Sequence, residues 1–469
     1  MSAHIGRFVH GSIWRHLTTM SLTNSVGLVM VFLADFINIF FISRLGITEM
    51  AAGIGFAGTV LFFVRAIAIA LGIATSVLVS RHLGRNELGK VRRYVVNASL
   101  LSLLVVAGVA TVAWLSRATL LGWVGASGIT RQYAADFLGV VIPGTLFLVL
   151  GVCGGQIIRA YGEARLSMWI SIAAAMINLI LDPILIFGFD MGLQGAAWAT
   201  VASQLAMLLM NWYCIVFRFK LVRAFHGRRF LADVPVVLSI AVPTMLTNLV
   251  PPMTTAFAAR QMAQFGDEAV AAFAVTLRLV PVALGVIFAL SGAVAPIVGQ
   301  NAGAGQFARV REAMRAALWF NWLTVFSVGT LLYALSGVLP YWFSLHGEAA
   351  ELLVFFCSGA ALLFGFDGMI FSTNAAFNNL GRPLYSTLNN LARVFLGAIP
   401  LIWLGQHFFG ARGVILGYMA ESIWVAPLSW LVMQRLITRY QRGELILGRI
   451  RERDKKRNLP LWPFTKRYP

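Results

Sequence analysis

A carboxylate and a proline, Asp182 and Pro183, lie inside a long apolar run of this sequence. An ionised Asp at the centre of a membrane helix costs about 2.5–3.5 kcal/mol, so such a residue usually faces a partner or a wet cavity. Asn178 precedes Asp182 by four residues and therefore shares its helical face. This pattern predicts either a structural hydrogen bond or an ion or proton site, and we favour the site.

Other polar residues of the first half enter apolar segments at a similar depth. Asp35 and Thr200 each lie about 10 Å of helical rise from the expected outer end of their segment, and Asp182 lies about 9 Å from its own. Asn38 shares the face of Asp35 at the i+3 position. Two carboxylates in a low-dielectric site cannot both ionise cheaply, which suits proton coupling. Carboxylate, amide and hydroxyl oxygens could instead hold sodium, so the residue types leave the ion open.

The second half carries its own intramembrane polar residues. Asp367 lies near mid-depth of its segment, and a short polar run after it ends at Asn374. Arg278 and Glu421 enter their segments at a common depth, and from depth alone we expect a buried ion pair between them. Arg278, Asn374 and Glu421 are therefore the expected C-terminal polar site, and Arg393 is interpreted as a structural counter-charge.

The elements that carry these residues are membrane-spanning helices. The chain has 469 residues, of which 59% are hydrophobic and 12% charged. A soluble protein of this length could not cover its surface with so few charges. The three cysteines lie far apart without a CxxC pattern, so no disulfide framework, metal site or cofactor is expected. We expect an all-α membrane protein of twelve transmembrane helices, near residues 17–42, 51–79, 94–115, 133–158, 166–188, 193–217, 234–259, 268–298, 313–338, 349–379, 385–407 and 411–436.

Basic residues are unequally distributed between the two sides on which these helices end. One side collects most of the 37 Lys and Arg residues, including those of both terminal segments. The positive-inside rule therefore predicts that both termini lie in the cytoplasm, and we expect a multi-pass protein of the plasma (inner) membrane. Because this topology accounts for the net charge of +19, we expect the lipid bilayer as a partner and no nucleic acid.

The two halves of the chain resemble each other. Gly162 and Ser167, for example, match Gly381 and Ser386 at an offset of 219 residues. Parallel repeats of this kind are typical of transporters that bind substrate between their halves and open alternately to either side. We predict two pseudo-symmetric six-helix lobes over residues 1–217 and 234–436, joined by a basic cytoplasmic linker over 218–233 and followed by a basic cytoplasmic tail over 437–469.

Several short motifs occur in order along these segments. They are Ser43-Arg44-Leu45-Gly46, Asn178-x-x-x-Asp182-Pro183, the GAAWAT run of residues 195–200, Leu277-Arg278 and the PIVGQNAGAG run of residues 296–305. Together, over about residues 15–435, they resemble the multidrug and toxic compound extrusion (MATE) transporters. The resemblance implies two six-helix lobes around a central cleft that export amphipathic, often cationic compounds in exchange for protons or sodium.

The resemblance also implies roles for individual residues. The family's N-lobe cation site transfers to Asp182 and Asn178, with Thr200 at a polar position of the same site. An acid of span 10 matches Asp367, although Asn379 stands where the family usually has glycine.

Two positions depart from the family pattern. The family's span 1 acid position is Asn38 here, and we expect Asp35, one turn earlier, to take its role. Sodium-type members have a span 7 glutamate where this chain has Pro251, which favours protons as the coupling ion.

The expected function is a secondary antiporter, working as a monomer, that exports amphipathic, cationic drugs or metabolites by alternating access. The alternative is a lipid-linked oligosaccharide flippase of the same superfamily, but those proteins usually have more spans and a more cationic cavity. An integral-membrane enzyme would need clustered catalytic residues, whereas the seven histidines are scattered, so no catalytic residue is expected. A channel is disfavoured because a parallel two-lobe repeat suits alternating access.

Overall fold

The computed structural model describes residues 6–45 and 47–447, and the side chains of all of these except residues 35, 36, 39, 43, 48 and 51. The described residues form helices joined by short turns. Most of the predicted basic tail lies outside this range. In the first half the helices are α1 (Ile13–Ser43), α2 (Thr48–Gly84), α3 (Leu88–Leu115), α4 (Arg117–Trp123), α5 (Gly128–Tyr161), α6 (Ala164–Pro183) and α7 (Gly192–Tyr213).

The second half begins with a bent pair of helices. Pro251 starts a new helix directly after α8, because proline fits the first turn of a helix but breaks its interior. The helices are α8 (Gly227–Leu249), α9 (Pro251–Met262), α10 (Asp267–Ala283), α11 (Gly285–Gly303), α12 (Phe307–Leu335), α13 (Leu339–Trp342), α14 (Gly347–Ser358), α15 (Phe364–Asn379), α16 (Pro383–Ala392), α17 (Ile399–Met419) and α18 (Val425–Gln441).

Eleven segments of the described residues are long and apolar enough to cross a membrane. One of them, Pro383–Met419, contains a reversal of the chain at Gly410, where φ is 58° and ψ is −138°. Glycine adopts this conformation without steric cost. Beyond the reversal the backbone of Gly413 lies against that of Gly405, so the chain doubles back and α18 completes a further crossing. The prediction of an all-α membrane protein with twelve spans is confirmed.

The described chain divides into two compact units. The N unit comprises residues 26–83 and 87–245, and the C unit comprises the described residues up to Ser25, residues 84–86 and those from Leu246 onward. The first part of α1 therefore belongs to the C unit, and most of α8 belongs to the N unit. The lobe boundaries at residues 217 and 234 stay a prediction.

Close helix packing in the N unit depends on small residues. A β-carbon at Gly144 would lie 2.6 Å from a methyl group of Val201, and one at Gly154 would lie 2.6 Å from Cβ of Asn211. These positions lie on one side of α5 and let α7 approach closely, as small residues do in membrane helix pairs. The packing holds α7 in place beside α6, which carries Asp182.

Equivalent contacts in the two units show the internal repeat. In the N unit, Nη1 of Arg159 donates a hydrogen bond to Oγ of Ser167 at 2.9 Å. At the offset of 219 residues, Oγ of Ser386 lies 3.0 Å from Oδ1 of Asn378 in the C unit. The serine therefore makes a side-chain hydrogen bond in both units, with a cationic arginine in the N unit and with a neutral asparagine in the C unit.

Candidate functional site

Asp182 is fully buried at the end of α6. Pro183 ends the regular helix, and a π-helical turn over Ile184–Gly188 follows. Such turns often occur at functional sites. A β-carbon at Gly195 of α7 would lie 2.7 Å from the carbonyl carbon of Leu185, so a glycine is needed for α7 to pack this closely against the turn.

Asn38 of α1 supplies the polar partner of Asp182. Its Nδ2 lies 3.2 Å from Oδ1 and 3.0 Å from Oδ2 of the carboxylate and donates to both. No basic side chain among the described residues pairs with Asp182. An ionised carboxylate that has only a neutral amide as its partner in an apolar core is costly, and a proton or a bound cation would remove that cost.

The other predicted N-terminal site residues differ in their contacts. Nδ2 of Asn178, one turn before Asp182, is buried without a hydrogen-bond acceptor in the described part of the chain. The hydroxyl of Thr200 donates to the carbonyl oxygen of Ala196 in its own helix at 3.0 Å. Asp35 lies on α1, and its side chain is outside the described residues. The structure thus brings Asn38 and Asp182 together, and a coupling role for these residues stays a prediction.

A second buried cluster, here called the C-unit triad, joins Asp367 of α15, Arg393 and Glu421. Arg393 begins a π-helical turn over Arg393–Ala398, and Glu421 lies between α17 and α18. Nε of Arg393 donates to Oε1 of Glu421 at 2.7 Å and lies 3.3 Å from Oδ1 of Asp367. Nη2 of Arg393 also donates to Oε1 of Glu421. The exposed fraction is 2% for Asp367 and Glu421 and 7% for Arg393.

The expected ion pair between Arg278 and Glu421 is wrong. Arg278 is exposed on α10, whereas Glu421 is buried and pairs with Arg393. Two residues at one depth need not face each other, because depth along a helix does not fix the face on which a side chain lies. Sequence reasoning had identified Arg393 as a counter-charge without assigning its partners.

Asn374 belongs to a different polar network from the C-unit triad. Its Oδ1 accepts a hydrogen bond of 3.0 Å from Nδ2 of Asn389, which also donates to Oγ of Ser429 at 2.7 Å. Asn374 lies seven residues after Asp367, about 10 Å along the helix, and its place in a C-terminal polar site stays a prediction. Sequence reasoning missed Ser422, whose hydroxyl donates to Oδ1 of Asp367.

The described residues contain no group of three or more His, Cys, Asp or Glu side chains arranged to hold a metal ion. The three cysteines are buried and unpaired. What the two sites offer is therefore carboxylate chemistry in an apolar environment: the binding and release of a proton or of one small cation.

Residues 25–184 and 243–404 match the family described as MatE. A FAD transporter of Shewanella oneidensis is 32% identical, with 90% of this chain and 95% of that protein covered. The multidrug export protein MepA of Staphylococcus haemolyticus is 24% identical, with 92% and 96% covered. The crystal structure of the Vibrio cholerae MATE transporter VcmN superimposes with a TM-score of 0.85 at 24% identity, covering 91% of this chain and 97% of that one. An outward-facing multidrug resistance MATE family transporter gives a TM-score of 0.86 at 21% identity, covering 94% and 100%. These relatives are transporters, not enzymes.

Proposed function

We propose that this chain, which belongs to the MatE family of multi-pass membrane transporters, is an antiporter that exports amphipathic, cationic compounds in exchange for protons. The observation that carries the proposal is Asp182, fully buried with only the amide of Asn38 as its partner among the described residues. We further propose that it acts as a monomer in the inner membrane. Both termini lie in the cytoplasm in this proposal, because the distribution of its basic residues predicts that orientation.

Protonation of Asp182 would change its contact with Asn38. The ionised carboxylate only accepts hydrogen bonds, and Nδ2 of Asn38 donates to both of its oxygens. A proton on one oxygen makes that oxygen a hydrogen-bond donor and leaves the other oxygen as the better acceptor, so the contact of Nδ2 with both oxygens weakens and the amide can turn over to accept from the new O–H group. Asn38 lies on α1, and the first part of α1 belongs to the C unit. The charge of Asp182 is thereby coupled to the contact that the end of α6 makes with α1.

The geometry favours a proton over sodium as the coupling ion. Sodium is bound by several oxygen ligands, as hard cations generally are. Asn38 presents its NH₂ group, not its carbonyl oxygen, to Asp182, and so occupies lone pairs that a metal ion would use. The hydroxyl of Thr200 faces the carbonyl oxygen of Ala196 in its own helix. A proton needs only one of the carboxylate oxygens.

A flavin nucleotide is the second candidate substrate. The 32% identical relative is a FAD transporter, and its alignment covers 90% of this chain. FAD is amphipathic but anionic, so the two candidates differ in the charge that the substrate-binding cavity must accept. Sodium-driven export remains the alternative mode of coupling.

The experiment uses purified protein in proteoliposomes with an imposed pH or sodium gradient and with ethidium or FAD as the transported compound. We compare the wild type with Asp182→Asn. The control is Asp190→Asn, since Asp190 is an exposed acid with φ of 53°, a conformation that asparagine also tolerates. We expect a pH gradient to drive ethidium efflux in the wild type and in Asp190→Asn, and not in Asp182→Asn. Unchanged efflux by Asp182→Asn would refute the coupling role, and efflux driven by sodium alone would refute proton exchange.

A further inference from the structure

The C-unit triad carries more negative than positive charge. Arginine stays protonated in proteins, so one guanidinium opposes the carboxylates of Asp367 and Glu421. All three side chains are more than nine-tenths buried. Fully ionised, the cluster would hold one uncompensated negative charge in a low-dielectric region, where such charges are expensive.

The hydrogen bonds of the triad are unevenly distributed. Oδ1 of Asp367 contacts both Nε of Arg393 and the hydroxyl of Ser422. Glu421 accepts from Arg393 through Oε1 alone, and its Oε2 is buried with no partner in the described part of the chain. Buried polar atoms are nearly always hydrogen-bonded, so the unpartnered Oε2 of Glu421 makes the fully ionised triad energetically unfavourable.

A second unsatisfied oxygen lies beside Glu421. The hydroxyl of Thr254 on α9 is buried, has no hydrogen-bond partner by distance and angle among the described residues, and lies next to the Glu421 carboxyl. A proton on Oε2 would give this carboxyl a donor, and the hydroxyl oxygen of Thr254 could accept from it. The same proton would neutralise the excess charge of the triad.

We propose that Oε2 of Glu421 binds a proton in a second coupling site, in which Arg393 is the positioning residue and the permanent counter-cation. This proposal rests on the proposed proton antiport. The proton comes from water, forms an O–H bond with a lone pair of Oε2, and returns to water when the site is exposed again. A sodium ion fits the site less well, because Oε2 and the Thr254 hydroxyl are the unsatisfied oxygens and a guanidinium is already present.

The groups around Glu421 favour this residue over Asp367 as the proton acceptor. The titratable groups that face it are Asp367 from α15, Arg393 from the π-helical turn and Tyr418 from α17. The hydroxyl of Tyr418 lies 3.2 Å from the hydroxyl of Thr255 on α9 and is thereby partnered. Each carboxylate has two donor contacts on one oxygen when ionised, but the second oxygen of Glu421, Oε2, is buried without a hydrogen-bond partner among the described residues, and the structure shows no such orphaned oxygen on Asp367.

The test is a pH titration of the full-length protein in lipid nanodiscs, followed by infrared difference spectroscopy of the carboxyl C=O band and by proton uptake. We expect Glu421→Gln to remove a C=O band and to lower uptake by one proton per molecule. Thr254→Val, which keeps every charge, should shift that band without removing it. Arg393→Lys, which keeps the charge but changes the donor geometry, should shift the pH at which the band appears. Glu351→Gln, which removes an exposed acid of the same unit, is the control and should leave the C=O band assigned to Glu421 unchanged.

Two results would overturn the proposal. One is a Glu421→Gln variant with an unchanged band and unchanged proton uptake. The other is loss of the wild-type band on adding sodium at constant pH, which would make the site a sodium site. Because the titration uses neither substrate nor a gradient, it is independent of the transport assay. If the wild type shows no proton-driven efflux but the band is lost in Glu421→Gln, antiport fails and the proton site stands. If the wild type shows proton-driven efflux but Glu421→Gln keeps the band and the proton uptake, the proton site alone is refuted.

Discussion

Replacing Arg393 by glutamine should strongly destabilise the protein. The substitution leaves the carboxylates of Asp367 and Glu421 together in a buried site without their counter-cation. Breaking a buried pair by removing one partner costs about 3–5 kcal/mol. The exposed pair of Arg412 and Glu351 has a similar N–O distance, 2.8 Å, but its side chains are 54% and 66% exposed, and such pairs contribute about 0–1 kcal/mol.

The assay is equilibrium unfolding in mixed detergent–SDS micelles at neutral pH, with Arg412→Gln as the matched control. The double variant Arg393→Gln/Glu421→Gln should recover much of the loss, because it removes the repulsion between the two carboxylates. Acidification should also reduce the cost of Arg393→Gln, since the freed carboxylates can take up protons. The reasoning is refuted if Arg393→Gln costs no more than Arg412→Gln, or if the double variant is no more stable than the single one.

Two further predictions concern the end of α2. A β-carbon at Gly84 would overlap the carbonyl oxygen of Gln300, so Gly84→Ala should lower the free energy of unfolding by about 1–3 kcal/mol. Gly89→Ala, whose new methyl group meets open space, is the control and should not lower it. A thermal melt compares the two variants, and equal melting midpoints would contradict the packing argument. Partial burial raises the pKa of Glu87, but hydrogen bonds and charges from Lys90 and His82 outweigh it and hold the pKa below its ordinary value. Its stabilising contribution is therefore present above the ordinary glutamate pKa and lost as the pH falls through the lowered one, so the melting midpoints of wild type and Glu87→Gln should differ at neutral pH and converge in acid. A difference that persists unchanged in acid would show that Glu87 acts through packing.

The sequence predicted the features that depend on hydropathy and depth. Segment length and apolarity were sufficient for the twelve spans, and even the reversal at Gly410 falls in the gap between the last two predicted segments. Depth placed Asp35 and Asp182 at a similar level, and the structure joins Asn38, which shares the helical face of Asp35, to Asp182 by a hydrogen bond. These predictions needed only the position of a residue along the helix axis, which follows from the fixed rise per residue.

The sequence failed where the rotation of a helix decides the contact. Arg278 and Glu421 were paired from depth alone, but Glu421 pairs with Arg393 and lies beyond the π-helical turn that begins at Arg393. A π turn needs more residues per turn than an α-helix, so it shifts every later side chain around the axis. The pairing of side chains across helices also depends on tertiary packing. A helix that is apolar on all sides has no hydrophobic pattern that shows which face meets which neighbour.

Each unit buries negative charge that its neighbouring side chains do not fully neutralise, but the two arrangements differ. In the N unit one carboxylate, Asp182, is buried with a neutral amide as its partner, and in the C unit two carboxylates share one guanidinium. The internal repeat did not copy either arrangement, because the residue 219 positions after Asp182 is Leu401. Within the described residues each site is one positive charge short of neutrality. If both sites take up a cation, the repeated feature is the missing charge and not the residues that surround it. An arginine that permanently neutralises one acid then leaves the other free to respond to pH, which is how a site rich in charge can still bind a single proton.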